Sequence, residues 1–277
     1  MHDLGDKVPA DQKAVYYKAM ATLNHAKVPY LVAGAMAIYY YTGSWRNTKD
    51  LDLFVTPQDR DAALGALCNA GYRTEVVVDS WLSKAFVGDI MVDIISGSGN
   101  YLAPVTHKWL ERGEPVTILD LPTRIIAATD MIWSKSYIAG HERFDGADIC
   151  HLIYRAPQKI DWQLLLREFG TYEWELLAVY VHLYRYVYPE ARDHIPGWVV
   201  EELASRSQQD VKLPQRADLP FRGPLLDRYS YLVDVNEWGL PDPRLTVADA
   251  RNIPDSEVLR ERHADQATFD AMHPPTG

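Results

Sequence analysis

Little in this chain of 277 residues points to secretion, disulfide bonding or a membrane. Its two cysteines, Cys68 and Cys150, are far apart and match neither a metal-binding nor a redox spacing, so we expect two buried, reduced thiols. No apolar run approaches the ~18 residues of a membrane helix. The first residues also lack a basic segment followed by an apolar one. These absences predict a cytoplasmic protein with no membrane partner.

The charge balance of the chain is acidic. Lysine and arginine number 28 against 38 aspartates and glutamates, which gives a formal net charge of -10. Such a balance argues against a long nucleic-acid footprint, because that kind of binding neutralises many phosphates with basic side chains. A small basic patch is still compatible with it. With 47% hydrophobic residues, the chain has enough apolar side chains for one large or two ordinary folded domains.

The N-terminal part alternates helical and strand patterns. Residues 11–26 have helical spacing, and the stretch VPYLVAG predicts a short buried strand that ends at Gly34, with a helix after it. Another helix is predicted over residues 56–71. Gly88-Asp89 lies between two apolar runs and predicts a hairpin turn. Together these patterns indicate a small mixed sheet with helices.

Strand signals fade near Leu121, and helical patterns follow, beginning with PTRIIAATDMIWSKSYIA. We therefore place a first domain at residues 1–118 and a helical domain at residues 119–208. Residues 209–277 are rich in proline, aspartate and arginine, with little periodicity, and we expect an extended C-terminal arm that packs on the body. The predicted fold class is α+β: a small mixed β-sheet domain, a helical domain and this arm.

The stretch RNTKDLDLFV, which begins at Arg46, poses the main chemical question. From Asp50 onward it alternates acidic and aliphatic residues, so Asp50 and Asp52 share one face of a strand whose other face is core. Like charges on one face of a sheet repel unless something positive lies between them. The missing partner is either a basic side chain or a metal ion.

A third carboxylate bears on that choice. In DIMVDIIS, Asp93 interrupts an apolar run typical of a central strand, where an unpaired carboxylate loses hydration or stays protonated. If this strand lies beside the strand of Asp50 and Asp52, three carboxylates converge at one point of the sheet. Oxygen-only ligands suit Mg²⁺ (or Mn²⁺), which keeps waters and substrate phosphate oxygens in its remaining positions. The pattern predicts phosphoryl or nucleotidyl chemistry.

Gly34-Ala35, RNTKDLDLFV and the later strand residue Asp93, in this order, resemble the nucleotidyltransferase superfamily with its polymerase-beta-like fold. The resemblance covers residues 28–95. The segment MIWSKSYIAGHERFDGADICHLI is similar to a Lys, Arg and Asp pattern of AbiEii-type proteins, which makes that branch the nearest. Two features depart from the superfamily: position 35 is alanine where serine is frequent, and the loop from Gly34 to Asp50 is somewhat long.

The resemblance implies a set of roles. Asp50, Asp52 and Asp93 would be both the catalytic residues and the metal ligands. The nucleoside triphosphate, which is the substrate, would be bound by a further group of residues: Gly34, Ala35, Arg46, Thr48 and Lys135. The implied reaction moves a nucleoside monophosphate from the triphosphate to an acceptor hydroxyl.

Several alternatives stay open for these residues. Asp50 and Asp52 would be a solvated strand edge if Lys49 and Arg46 lie near them. Asp93, taken by itself, would be a satisfied buried acid. The other positions also have structural interpretations: a plain turn at Gly34, loop contacts for Arg46 and Thr48, a lysine that reaches the surface at position 135, and an ion-paired helix start at Arg143, Asp145 and Asp148.

The function has alternatives as well. The acceptor is either an RNA end, as in toxin-like relatives, or the hydroxyl of a small molecule such as an antibiotic. A protein of another class would be a non-catalytic nucleotide binder in a toxin–antitoxin or defence module, with a cognate antitoxin as its partner. The intact acids disfavour that last alternative.

Overall fold

The computed structural model describes residues 7–46, 48–140, 143–171, 173–212 and 220–272. Its internal contacts divide the chain into two compact units. The first unit is Met1–Met131 with Gln158–Ile160, and the second is Ile132–Pro157 with Asp161–Gly277. The three-domain division drawn from the sequence stays a prediction.

A seven-stranded mixed sheet is the centre of the first unit, in the order β3-β4-β5-β2-β1-β7-β6. The strands are β1 (Leu31–Val32), β2 (Asp50–Phe54), β3 (Arg73–Val78), β4 (Leu82–Val87), β5 (Ile90–Ile95), β6 (Glu114–Ile118) and β7 (Leu121–Ile125). The helices are α1 (Ala10–Ala26), α2 (Gly34–Thr42), α3 (Arg60–Asn69) and α4 (His107–Arg112). The predicted α+β class and mixed sheet are confirmed.

The two faces of the central strands differ, as the alternating pattern predicts. Leu51 and Leu53 of β2 and Val92 and Ile94 of β5 have no exposed surface, and α1 and α3 contact β5. Aliphatic residues at every second position hold the sheet to the helices in this way, since burial of each such side chain contributes roughly 1.5–3 kcal/mol. The opposite face carries the acidic residues and is partly exposed.

The turn from β1 into α2 is formed by Gly34, the first residue of the helix, which has a φ of +55°. A non-glycine residue rarely adopts this left-handed conformation. The helix ends before Gly43, whose φ of 74° places it in the same region. The predicted order of strand, glycine turn, helix and strand is confirmed.

Residues 114–125 form a hairpin, β6 and β7, that the sequence pattern did not predict. The helix expected from Pro122 is wrong for residues 122–125, because they belong to β7, which pairs antiparallel with β6 and parallel with β1. Leu119 and Asp120 form the turn, with φ values of 50° and 62°. Two-residue turns of this kind usually contain Asn-Gly or Asp-Gly, so Leu-Asp gave no recognisable signal.

The second unit is helical in the residues described. Helix α5 (Ala128–Ser136) runs into it from the first unit. The remaining helices are α6 (Gly146–Arg155), α7 (Trp162–Phe169), α8 (Trp174–Val187), α9 (Gly197–Asp210), α10 (Gly223–Leu226), α11 (Leu232–Asn236), α12 (Pro243–Asp249) and α13 (Asp255–Met272), with a 3₁₀ turn at Pro189–His194. Another 3₁₀ turn, Pro157–Lys159, has its first residue in the second unit and the other two in the first.

The C-terminal segment from residue 220 to 272 is helical rather than extended. Asp242 caps α12 by accepting from the Arg244 backbone N–H, and Pro243 occupies the first helical position. The Arg244 side chain is 1% exposed and pairs with Asp242 and with Asp265 of α13, each at 2.9 Å. The contact of Arg244 with Asp265, 21 residues away, stabilises the short helix α12, which periodicity alone does not indicate.

The structure tests the predicted burial of the two cysteines and the expected absence of a membrane helix. Cys150 is buried in α6, whereas Cys68 is exposed on α3, so the expectation of two buried thiols is wrong for Cys68. Cys68 lies on the face of its helix away from the buried Ala63 and Leu67. In the part of the chain that the structure describes, no helix has the length and apolar character needed to cross a membrane.

Candidate active site

The three predicted carboxylates lie on adjacent strands. Strands β2 and β5 run parallel, with Asp52 opposite Asp93 and Asp50 opposite Met91. Neighbouring strands are about 4.8 Å apart, so the open face of the sheet brings the acids of β2 beside Asp93. The convergence expected from the sequence is present at the level of strand register.

Electrostatic coupling supports this proximity. Burial raises the pKa of Asp93 above its ordinary value, the nearby Lys84 ammonium lowers it in part, and the Asp50 charge raises it again. Burial is also the main reason that the pKa of Tyr16 in α1 is raised, and Asp50, Asp52 and Asp93 all add to that increase. The three carboxylates therefore act on the same small region of the protein.

Gly34 is in direct contact with this acidic region. A Cβ at this position would overlap Oδ2 of Asp52, so the carboxylate of Asp52 lies against the Cα of Gly34 at the start of α2. The Ala33 N–H donates to the Asp52 carbonyl at 3.0 Å and holds the two segments together. Glycine is thus required here both by its φ and by the available space. The first turn of α2, which includes Ala35, begins beside the acids.

The loop before β2 also contacts the acids. The Thr48 hydroxyl donates to Oδ1 of Asp50 at 2.5 Å, and Oγ1 is 3.1 Å from the Asp50 carbonyl oxygen. Thr48 therefore orients the Asp50 carboxylate, as in the interpretation that it holds the loop. Arg46 is exposed. The nucleotide-binding roles of Arg46 and Thr48 stay predictions.

Lys84 is a site residue that the sequence interpretation missed. It lies on β4 opposite Asp93, and its Nζ is 3.0 Å from Oδ1 and 3.4 Å from Oδ2 of that residue. A signal was available, because the two-residue turn Gly88-Asp89 sets the register of the hairpin and thereby pairs position 84 with position 93. We call Asp50, Asp52, Lys84 and Asp93 the strand cluster.

Lys135 lies in the second unit, in a group of ionised residues that we call the helix cluster: Lys135, Arg143, Asp145 and Asp148. The Lys135 side chain is 7% exposed, and its Nζ is 2.6 Å from Oδ2 of Asp145 and 2.9 Å from Oδ2 of Asp148. The ion-paired helix start proposed for HERFDGAD agrees with these contacts in its described residues, while His141 and Glu142 lie outside them. A nucleotide contact by Lys135 stays a prediction.

The helix cluster compensates its own charges. Burial by itself would raise the pKa of Asp145, but hydrogen bonds and charges from Arg143 and Lys135 hold that pKa below its ordinary value. The ionised form of Asp145 is therefore favoured in the folded protein, which is typical of a structural ion pair.

The fit of a divalent cation can be tested on the donor atoms present. Within the described ranges, no three acidic, histidine or cysteine side chains are arranged so that they could hold one ion together. Asp50 and Asp52, half-exposed on one strand face, do supply two oxygen-donor side chains. Mg²⁺ is commonly bound by one or two carboxylates, with water and substrate phosphate completing its shell. The residues present fit Mg²⁺ in that arrangement.

No protein-family model matches this chain, and no curated protein is significantly similar to it in sequence. Among solved structures, the chain is similar to ANT(2″)-Ia in complex with adenylyl-2″-tobramycin, with 19% identity over 65% of this chain and 99% of that one, and a TM-score of 0.41. An antigenic nucleotidyltransferase-like protein from Paracoccidioides brasiliensis matches with 13% identity over 68% and 93% of the two chains, and a TM-score of 0.44. A putative nucleotidyltransferase from H. pylori matches with 16% identity over 96% and 99%, and a TM-score of 0.37.

The names of two of these proteins contain the word nucleotidyltransferase, which is also the name of the superfamily that the sequence motif resembles. Because all three identities are under 25% and all three TM-scores are under 0.5, the function proposed below rests on the residues of this chain. The nearer likeness to AbiEii-type proteins stays a prediction.

Proposed function

We propose that this protein is a Mg²⁺-dependent nucleotidyltransferase, which moves a nucleoside monophosphate from a nucleoside triphosphate to an acceptor hydroxyl. One observation carries the proposal: Asp50 and Asp52 share the open face of β2, Asp52 lies opposite Asp93 on β5, and Gly34 at the start of α2 lies against Asp52. The order of these residues is also the one in which the sequence resembles the superfamily.

Asp50 and Asp52 are the residues that would hold Mg²⁺ (or Mn²⁺). When bound, the ion supplies positive charge to the phosphates of the substrate and to the pyrophosphate that leaves. Thr48 keeps the Asp50 carboxylate oriented by donating its hydroxyl hydrogen to Oδ1. Backbone N–H groups in the first turn of α2, at Gly34 and Ala35, would bind the terminal phosphates, because a helix N-terminus favours anions.

Asp93 would accept the proton of the attacking hydroxyl. Its raised pKa means that the carboxylate holds a proton more readily than an ordinary aspartate. Its position opposite Asp52 places it next to the residues that bind the triphosphate. The sequence also predicts a metal-ligand role for Asp93, in which the same carboxylate contacts the ion as well.

The acceptor is either an RNA end or the hydroxyl of a small molecule. A formal net charge of -10 favours a small footprint, whichever class it is. No residue of the site bears on three further predictions: the location in the cytoplasm, a cognate antitoxin, and a role in a toxin–antitoxin or defence module. They stay predictions.

The decisive experiment incubates the full chain with each labelled nucleoside triphosphate, Mg²⁺ and either total cellular RNA or a panel of small hydroxyl compounds. We expect label on one acceptor class with wild type and none with Asp52→Asn. Asp89→Asn, at an exposed position in the β4–β5 turn, is the matched control and should transfer normally. Equal labelling by wild type and Asp52→Asn would contradict the proposal.

Metal binding gives an independent measurement. A ligand selective for the folded state raises thermal stability, so Mg²⁺ or Mn²⁺ should raise the melting temperature of wild type and of Asp89→Asn. The same ions should leave the melting temperature of Asp52→Asn unchanged. An equal increase in all three proteins would place the ion elsewhere.

A further inference from the structure

A row of charged residues crosses four strands on the open face of the sheet. Glu75 of β3 lies opposite Lys84 of β4, Lys84 lies opposite Asp93 of β5, and Asp93 lies opposite Asp52 of β2. Directly opposite residues in a sheet are close enough to interact through their side chains. The row therefore puts one ammonium group between the outer strand and the acids.

The Lys84 ammonium is directed toward the acids. Its Nζ contacts both carboxylate oxygens of Asp93, at 3.0 Å and 3.4 Å, and lies 3.1 Å from the sulfur of Met91. Glu75, its opposite neighbour on the other side, pairs with Arg73 at 3.1 Å. Both side chains of the Lys84–Asp93 pair are largely covered, with 22% and 11% exposed, whereas Arg73 and Glu75 are 67% and 51% exposed.

This contact changes what the acids can bind. Asp93 already has a cation within hydrogen-bond distance of both its oxygens. A second divalent ion at Asp93 would have to displace Lys84.

We propose that Lys84 is a positioning residue that serves as a fixed internal cation. It holds the Asp93 carboxylate in place and leaves Asp50 and Asp52 to bind one divalent ion, so the protein works with one metal ion and one lysine at this site. The inference rests on the proposed function, because Asp50 and Asp52 are metal ligands only within it.

The first test is calorimetric titration of the full chain with Mn²⁺. We expect one ion per chain for wild type and for Lys84→Arg, which keeps the positive charge. Lys84→Met should bind a second ion or bind the first about tenfold more tightly, because a positive charge a few ångströms away has been removed. Lys108→Met, at an exposed position in α4, is the matched control and should behave as wild type.

The second test is the transfer rate at saturating triphosphate. Lys84→Met should lose about tenfold or more of the rate, as is usual when the partner that orients a reactive group is removed, and Lys84→Arg should recover most of it. Triphosphate affinity measured in the absence of divalent cations should stay within about twofold of wild type, since Lys84 contacts Asp93, whereas the terminal phosphates would bind at the start of α2. If Lys84→Met does not fold, Lys84→Gln keeps a polar side chain without the charge and takes its place in both tests.

The outcomes separate this inference from the function on which it rests. Two results would overturn the role of Lys84: two Mn²⁺ ions per wild-type chain, or identical Mn²⁺ binding by wild type and the neutral Lys84 variants. The proposed function would stand in either case if Asp52→Asn still abolished Mn²⁺ binding. Unchanged Mn²⁺ binding in Asp52→Asn would instead overturn the proposed function.

Discussion

Two clusters of ionised residues, one in each unit, show how charge balance distinguishes a candidate site from a structural feature. The helix cluster pairs two cations with two carboxylates, and its Lys135 is 7% exposed. The strand cluster has one cation for three carboxylates, on a face that is partly open. A cluster whose lysine and aspartates are buried in mutual ion pairs needs no further partner, whereas carboxylates on a partly open face suit a cation from solution.

The helix cluster is expected to give the largest effect on stability. Lys135→Met leaves Asp145 and Asp148 buried without their shared ammonium, and breaking a buried pair in this way costs about 3–5 kcal/mol. Urea denaturation of wild type and variant measures the difference. Lys108→Met, at an exposed position, should change the free energy of unfolding by less than about 0.5 kcal/mol. A loss of similar size in both variants would show that the helix cluster is not structural.

In contrast to Lys135→Met, Asp93→Asn should lower activity and not stability. The amide is nearly isosteric, and a raised pKa means that the folded protein does not favour the charged form of Asp93. We therefore expect an unchanged or slightly higher melting temperature, intact triphosphate binding and a transfer rate lower by about a hundredfold or more. All three quantities should be measured on one preparation.

Other results for Asp93→Asn have clear meanings. A stable variant with the wild-type transfer rate would contradict the role of Asp93 as the proton acceptor. Joint loss of stability and activity would identify a structural acid. No turnover in either protein would identify a nucleotide binder.

The pH dependence of stability should differ in sign between the two clusters. Because the pKa of Asp145 is lowered in the folded state, its stabilisation is present above the ordinary value of 3.8 and is lost as the pH falls below 3.8 through the folded value. Because the pKa of Asp93 is raised, its ionisation costs stability as the pH rises from 3.8 through the folded value.

Urea denaturation at several pH values resolves the two contributions. Relative to Asp145→Asn, the wild type should lose stability on acidification below 3.8. Relative to Asp93→Asn, it should lose stability as the pH rises above 3.8. The same sign for both comparisons would remove the distinction between the clusters.

The smallest expected effect concerns salt. If an RNA end is the acceptor, the acidic chain should make few phosphate contacts, so the log–log slope of affinity against salt should have a magnitude below about 2. Binding assays from low to moderate salt measure it. A steep slope would reveal a basic surface much larger than the charge balance indicates.

Much of the local structure and of the candidate site was predictable from the sequence. Asp50 and Asp52 share a strand face because the side-chain period of a strand is 2, and that pattern lies within five residues. Gly34 was predicted as a turn because few other residues adopt its φ. The hairpin at Gly88-Asp89 was equally clear, since its turn residues and the apolar runs beside them are contiguous.

Only the tertiary structure decided which strands became neighbours. From the sequence, the three acids converge only if the strand of Asp93 lies beside the strand of Asp52. The parallel pairing of β2 with β5 brings them together across about 40 residues of chain. The structure also showed that Lys84 contacts Asp93, although the Gly88-Asp89 turn already sets that register in the sequence. The β6–β7 hairpin was missed because its turn residues, Leu119 and Asp120, give no recognisable turn signal. Helix α12 was missed because its Arg244 pairs with Asp265, 21 residues away, and local propensity carries no record of that contact.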